Sequence, residues 1–217
     1  GVHDIVRAKD GGWTIGIAVS GAELGRHAAL VADWPGVVEG MNLVGSTQVQ
    51  GRATLAGNLC NGSPAADSVP GLVAAGATVT VIGPKGMRKL AVEDIPASPG
   101  RTHLQAGEIV SAIHLPPRGA QGGDAYLRFT PRTEMDIAVC SAAVSVTLGK
   151  GGVVEEARVA LGAVAPTVVL VPAAAKAIIG TKLDAAALDA LAAACRAACS
   201  PIDDKRGTVE FRTDVAG

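Results

Sequence analysis

Short stretches in which hydrophobic and polar residues alternate recur along this chain. A period of two is typical of β-strands that bury one face, and glycine-rich turns between neighbouring stretches indicate hairpins. Three such pairs are present, at residues 2–6 with 13–19, 77–82 with 88–92, and 139–148 with 153–161. A further alternating run at 107–116 ends at two prolines. The pattern therefore predicts several antiparallel strands.

Helical segments separate these strands. Residues 20–45 are predicted to be helical from Ser20 onward, with Glu23 placed three residues later as in a capping box. The Trp34-Pro35 pair breaks this segment, because proline cannot continue a helix from the preceding turn, and a second helix follows.

Further helices are predicted downstream. Residues 68–76 form a short helical pattern that ends at a glycine. Stretches rich in alanine and leucine at 172–180 and 183–198 predict two more helices, and Asp184 is placed to cap the second of them.

Residues 54–67, with the sequence Thr-Leu-Ala-Gly-Asn-Leu-Cys-Asn-Gly-Ser-Pro-Ala-Ala-Asp, contain little that could fill a core. Glycine allows a close approach of the backbone to a ligand, and Asn and Asp tolerate tight turns. A loop of this composition before a helix could hold a phosphate or the polar edge of a ring. The alternative is a capped turn in which Ser63 or Asp67 is the N-cap of the next helix. The residues alone leave both interpretations open.

Composition limits the classes of function. The 217 residues suffice for one large domain or two small ones. Hydrophobic residues make up 48% of the chain and aromatic residues only 2%, so the core must be built from aliphatic side chains. A net charge of −1 gives no attraction to nucleic acid, and the scarcity of aromatic residues removes a stacking platform for bases. The sequence contains no signal peptide and no long apolar run, which predicts a cytoplasmic protein.

The sequence shows no metal-binding or catalytic signature. The four cysteines, Cys60, Cys140, Cys195 and Cys199, form no C-x-x-C pair, and the four histidines lack the spacing of metal ligands. The motifs G-x-G-x-x-G, G-x-x-x-x-G-K-[ST], G-x-S-x-G and H-E-x-x-H are absent. We therefore predict no metal, no iron–sulfur cluster and no catalytic residue in this chain.

The order of residues 54–67 resembles the Thr-Ile-Gly-Gly-Asn…Asn-Ala-Ser-Pro-Ala-Ala-Asp segment of the molybdenum hydroxylase flavoproteins. These are the FAD-binding medium subunits of the carbon monoxide dehydrogenase and xanthine dehydrogenase class. The chain departs from the pattern at Ala56, where glycine is usual, and at Gly62, where alanine is usual. The resemblance implies that FAD is bound by this segment and by the preceding turn at 45–52. The implied residues are Gly45, Thr54, Ala56, Gly57, Asn58, Asn61 and Asp67.

A second block, at residues 125–138, resembles the family element Tyr-x-Lys-Phe-x-x-Arg-x-x-x-Asp-x-Ala. Arg128 takes the place of the lysine, which keeps the charge but changes the hydrogen-bond geometry. The resemblance implies that Arg128 lies beside the flavin, where a cation could stabilise the negative charge of the reduced ring. The alternative is a surface arginine that pairs with Glu134 or Asp136.

Residues 107–116 resemble the family strand Gly-Glu-Leu-Leu-x-x-Ile-x-Ile-Pro, whose apolar pair packs against the isoalloxazine ring. The resemblance implies that Ile109 and Val110 frame the flavin. Periodicity alone is equally consistent with two ordinary core residues.

The resemblance implies an α+β fold. Residues 1–116 would form the second subdomain of a PCMH-type FAD-binding domain, a mixed or antiparallel sheet with helices. Residues 117–217 would form a small domain with a three-stranded antiparallel sheet backed by helices. In the family, a first lobe with another glycine-rich loop precedes this region, and a further helix follows residues 206–212. On this basis the chain is interpreted as about the last three-quarters of a subunit.

The implied function is an FAD-dependent electron-transfer subunit, an oxidoreductase component without catalytic residues of its own. Its partners would be a molybdopterin-containing large subunit and a small subunit with two 2Fe–2S clusters, assembled as a dimer of heterotrimers. Electrons would pass from the clusters through FAD to an acceptor. One alternative is a scaffold of the same complex that binds no FAD by itself. A stand-alone FAD oxidase of the p-cresol type is disfavoured, because Tyr126 is the single tyrosine available as a base.

Overall fold

The N-terminal half is built on a five-stranded antiparallel sheet. The computed structural model describes residues 1–133 and 135–217, so that Glu134 lies outside the described residues. The strands are β1 (Ile5–Arg7), β2 (Trp13–Gly16), β3 (Thr78–Gly83), β4 (Gly86–Ala91) and β7 (Ile109–Leu115), in the order β1-β2-β7-β3-β4. The alternation along the chain predicted all five. Two further strands, β5 (Pro96–Ser98) and β6 (Arg101–Thr102), form a small separate ribbon.

The N-terminal half also contains six short helices. They are α1 (Gly21–Arg26), α2 (Ala28–Asp33), α3 (Pro35–Asn42), α4 (Thr47–Gln50), α5 (Leu55–Cys60) and α6 (Ser68–Ala74). The capping box at Ser20 and Glu23 is present, and the chain breaks at Trp34 as predicted. The first predicted helix is in fact two, because His27 ends α1 and its ring accepts a hydrogen bond at the start of α2.

The C-terminal half contains a second antiparallel sheet and three helices that follow it. Strands β8 (Gly122–Phe129), β9 (Cys140–Leu148), β10 (Val154–Gly162) and β11 (Val169–Leu170) lie in the order β11-β10-β9-β8. The first three match the expected three-stranded sheet, and the two-residue β11 adds a short fourth strand. Helices α7 (Pro172–Ile178), α8 (Ala185–Ala197) and α9 (Val209–Ala216) follow, with Asp184 capping α8 as predicted.

The two halves share one hydrophobic core. Tyr126, Ala143 and Ala160 from the second sheet are buried in the same cluster as side chains of the first sheet and of α3 and α6. A smaller cluster lies between the second sheet and its own helices, and it contains Cys140 and Cys195 as buried thiols. Within the described residues, every helix is too short or too polar to cross a lipid bilayer.

Small residues bring α3 and α6 into close contact. A Cβ atom at Gly40 would lie 2.5 Å from the carbonyl oxygen of Asp67, and one at Gly71 would lie 3.0 Å from the carbonyl oxygen of Gly36. Two helices can approach this closely only where side chains are missing at the contact. Gly40 therefore fixes the position of the backbone at Asp67.

We predict that Gly40→Ala destabilises the protein by about 1–3 kcal/mol, because the added methyl group meets backbone that cannot move aside easily. This loss exceeds the gain of alanine over glycine in helix propensity. Urea unfolding would measure the effect. Gly119→Ala is the control, since a Cβ atom there meets nothing within 4 Å. An equal stability for both variants would contradict the close contact of α3 and α6.

Candidate functional site

A buried carboxylate, a tyrosine and an arginine meet where the two halves join. The carboxylate oxygens of Asp67 accept hydrogen bonds from the Tyr126 hydroxyl at 2.7 Å and from Nη1 of Arg128 at 2.8 Å. The same Nη1 also donates to the carbonyl oxygen of Leu43 at 2.9 Å. The side chain of Arg128 is only 7% exposed. We call Asp67, Tyr126 and Arg128 the interdomain cluster.

Strand alternation places two members of this cluster together. Tyr126 and Arg128 are two residues apart on β8, so their side chains project from the same face of the sheet. Leu127 between them points to the other face and is 76% exposed. Asp67 immediately precedes α6, which packs against β8.

Burial determines the protonation behaviour of the interdomain cluster. It raises the pKa of Asp67, although the Tyr126 hydroxyl and the Arg128 charge act in the opposite direction. Burial also raises the pKa of Tyr126, and the neighbouring Asp67 charge raises it further. Tyr126 therefore remains a hydroxyl donor throughout the neutral range.

A cavity of about 500 Å³ lies beside Arg128. Its wall includes Gly45, Ser46 and Thr47 from the turn after α3. Gly45 has a left-handed backbone conformation (φ +61°), and a Cβ atom there would lie 2.8 Å from the side chain of Val49. Among the described residues, Nε and Nη2 of Arg128 have no hydrogen-bond acceptor. The cavity thus has a charged donor group in its wall and a turn that requires glycine.

Six of the fourteen residues in the segment 54–67 form the helix α5 rather than the loop that the composition suggested. Thr54 is the N-cap of α5, and its hydroxyl accepts a hydrogen bond from the backbone N–H of Gly57 at 3.0 Å. The side-chain oxygen of Asn58 accepts hydrogen bonds from both the backbone N–H and the hydroxyl of Ser68. Asn58 therefore ties α5 to the start of α6.

The remaining predicted residues of this segment differ in exposure. Gly57 and Asn61 are exposed, whereas Ala56 is buried. The backbone N–H of Ala56 lies in the first turn of α5, where no partner exists within the helix, and it has no acceptor among the described residues.

The simple alternatives for Asp67 and Arg128 have different outcomes. Asp67 occupies the N-cap position of α6, but its side chain makes no capping hydrogen bond there. Ser63 instead accepts a hydrogen bond from Ala65. Asp136 pairs with Arg132 and Arg206 rather than with Arg128. Arg128 is buried and is not a surface arginine, and the other partner considered for it, Glu134, lies outside the described residues.

Ile109 and Val110 point to opposite faces of β7. Val110 is 4% exposed and belongs to the core, as the alternative interpretation of this strand held. Ile109 is 57% exposed and lies directly across from Ile82 on β3, which in turn faces Met87 on β4. Of the predicted pair, only Ile109, at the start of β7, is therefore exposed for contact with a ligand.

Sequence reasoning missed the role of Tyr126. The alternation of residues 125–129 could have indicated that Tyr126 and Arg128 share a face, but nothing local pointed to Asp67. The contributions of Ser68 and of the Leu43 carbonyl group also carry no sequence signal. Among the described residues, no group of three or more His, Cys, Asp or Glu side chains could hold a metal ion.

The fold and this site define a class, the flavoprotein components of molybdenum-containing dehydrogenases. The family model described as "FAD binding domain in molybdopterin dehydrogenase" matches residues 2–118, and the model described as "CO dehydrogenase flavoprotein C-terminal domain" matches residues 125–217. The chain therefore belongs to the family of FAD-binding subunits that includes the carbon monoxide dehydrogenase medium chain and the xanthine dehydrogenase FAD-binding subunit.

Individual relatives agree with this assignment. The chain is 32% identical to the carbon monoxide dehydrogenase medium chain of Afipia carboxidovorans, over all of this chain and 75% of that protein. It is 28% identical to the xanthine dehydrogenase FAD-binding subunit of Escherichia coli O157:H7, over 97% of this chain and 72% of that protein. The structure of reconstituted CO dehydrogenase from Oligotropha carboxidovorans superimposes with a TM-score of 0.93 at 30% identity, covering 99% of this chain and 74% of that one.

We predict opposite pH effects for two aspartates. Because the folded-state pKa of Asp67 is raised, its contribution to stability is full below the ordinary carboxyl pKa and is lost as pH rises. The pKa of Asp204 is lowered by the Arg206 backbone N–H and by Arg212, so its contribution is lost as pH falls.

Urea unfolding between about pH 3 and pH 7 would measure these slopes. Asp67→Asn should make the slope of the unfolding free energy against pH more positive, and Asp204→Asn should make it more negative. A shift of the same sign in both variants would contradict the assignment.

Proposed function

We propose that this chain is the FAD-binding electron-transfer subunit of a molybdopterin- and iron–sulfur-containing hydroxylase or dehydrogenase. The observation that carries the proposal is the buried Arg128 in the wall of a cavity, within two consecutive domains of this family. Bound FAD would supply the redox chemistry, which the amino-acid side chains lack.

The residues present fit a flavin. Arg128 lines a cavity, and its Nε and Nη2, which have no acceptor among the described residues, would bind electron-rich oxygen or nitrogen atoms on the edge of the ring. Their charge would stabilise negative charge as it develops on a reduced ring. The exposed Ile109 would cover an apolar face of the ring, while Val110 would only support it from the core.

The segment 54–67 would contribute through backbone and amide groups. Thr54 would order the first turn of α5, and Ala56 would donate its backbone N–H. Gly57 leaves the surface of the turn open for a close approach, and Asn61 would donate from its exposed amide group. Asn58 would act mainly by fixing this turn on Ser68. Gly45 would shape the cavity wall.

The same proposal covers organisation and partners. Residues 1–116 would form the FAD-binding part and residues 117–217 the C-terminal domain. Molybdopterin and the 2Fe–2S clusters would lie in a large and a small partner subunit, in a cytoplasmic dimer of heterotrimers. Electrons would pass from the clusters through FAD to an acceptor. Relatives are named as medium chains or FAD-binding subunits, which supports a subunit role.

The test is the flavin content of the purified chain, measured by its visible spectrum and by quenching of flavin fluorescence in a titration with FAD. We expect Ile109→Asn to weaken FAD binding about tenfold, since it replaces apolar surface that the ring would cover. Leu188→Asn is the matched control, because Leu188 is also an exposed aliphatic residue but lies on α8.

Two results would contradict the proposal. Equal FAD binding by both variants would remove Ile109 from the site. A wild-type chain that binds no FAD would instead favour the alternative, a scaffold of the complex without its own cofactor.

A further inference from the structure

We propose that Arg101, on the ribbon of β5 and β6, binds a phosphate group of a dinucleotide beside the segment 54–67. The inference rests on the proposed function, and the phosphate belongs either to FAD or to a dinucleotide that accepts its electrons. It brings into the site a ribbon that contains none of the residues predicted from the sequence.

The segment 54–67 offers no positive charge to a phosphate. Its donors are neutral, and they include the backbone N–H of Ala56 and the exposed side-chain amide of Asn61. Its one charged side chain is Asp67, a carboxylate, which repels an anion. A cation that neutralises a phosphate at this segment therefore has to come from another element.

The ribbon of β5 and β6 packs directly on this segment. The backbone N–H of Gly100 donates a hydrogen bond to the carbonyl oxygen of Gly62 at 3.0 Å. Gly62 has a left-handed backbone conformation (φ +65°), and a Cβ atom there would lie 3.0 Å from the backbone nitrogen of Arg101. The family pattern has alanine at residue 62, so glycine in this chain removes a methyl group from the contact. The backbone of Arg101 thus lies beside the end of α5, next to the exposed Asn61.

The side chain of Arg101 is exposed, whereas its backbone is held in place. The backbone is fixed by the pairing of Arg101 with Ser98 within the ribbon. Among the described residues, the guanidinium group of Arg101 forms no ion pair, in contrast to that of Arg88, which binds both carboxylate oxygens of Glu108. A guanidinium group can bind two oxygens of one phosphate through parallel N–H bonds. Arg101 therefore supplies the charge that the segment lacks.

Arg52 is a second exposed arginine near this segment. It precedes Thr54, the N-cap of α5, whereas Gly62 and the ribbon lie after the end of the same helix. The two arginines are therefore at opposite ends of α5 and would contact different parts of a ligand. Arg52→Gln is consequently an informative comparison for Arg101→Gln.

Titration of the full chain with inorganic pyrophosphate tests the inference without FAD. We expect the backbone amide signal of Asn61 in the NMR spectrum to shift saturably, and Arg101→Gln to weaken the affinity about tenfold, as for loss of a charge-assisted hydrogen bond. Lys150→Gln is the matched control, because it removes one exposed positive charge from the turn between β9 and β10. It should leave the affinity unchanged. No shift at Asn61, equal affinities for the Arg101 and Lys150 variants, or a loss in Arg52→Gln alone would overturn the inference.

Titrations with FAD and riboflavin identify the source of the phosphate, because riboflavin carries the same ring without phosphate. If the phosphate is that of FAD, Arg101→Gln should weaken FAD binding about tenfold and leave riboflavin binding unchanged. If it is that of the acceptor, both affinities should be unchanged, and NADH should bind the FAD-loaded variant about tenfold more weakly. Equal losses for FAD and riboflavin, or no loss for any of the three ligands, would overturn the inference.

The measurements also separate the two proposals. A wild-type chain that binds pyrophosphate through Arg101 but binds no FAD refutes the proposed function and supports the role of Arg101. A chain that binds FAD and shows no effect of Arg101→Gln on any phosphate-containing ligand refutes the role of Arg101 alone.

Discussion

A carboxylate and a guanidinium group that are almost excluded from water join the two halves of this protein. Moving two charges out of water costs several kcal/mol for each ion, and their attraction repays this cost only where the geometry is good and the remaining polar atoms are bound. The Tyr126 hydroxyl and the Leu43 carbonyl oxygen offset part of this cost, although burial still raises the pKa of Asp67. Separation of the halves would therefore leave both buried charges without their partners.

The hydrophobic core supports the same arrangement. It contains side chains of both sheets, so separation of the halves would expose apolar surface as well as the ion pair. Glycines at the crossing of α3 and α6 allow the backbone near Asp67 to approach the interior. Hydrophobic packing is not directional, whereas the hydrogen-bonded ion pair of Asp67 and Arg128 is. The two together specify the interface between the halves, and the cavity beside Arg128 results from that interface.

The sequence predicted those structural features that depend on residues close together in the chain. Alternation located the hairpins, and capping residues located the starts of α1 and α8, because these signals act within a few residues. The partners of Asp67 lie 59 and 61 residues away, which no local pattern encodes. The helix α5 was missed because its glycine and asparagine disfavour helices, while its buried Leu55 and Leu59 stabilise it through packing. The sequence could not decide whether Val110 contacts the flavin or fills the core, because burial decides between these roles and burial depends on the whole fold.

The choice of arginine at residue 128 follows from the same geometry. A lysine has a single nitrogen, so an ammonium group bound to both Asp67 and Leu43 would have one N–H left for a ligand. In Arg128, Nη1 binds the protein, while Nε and Nη2 have no acceptor among the described residues. The substitution relative to the family pattern therefore keeps the charge and adds a second donor direction. With arginine in place, Asp67 and the Leu43 carbonyl oxygen hold the side chain through a single nitrogen atom.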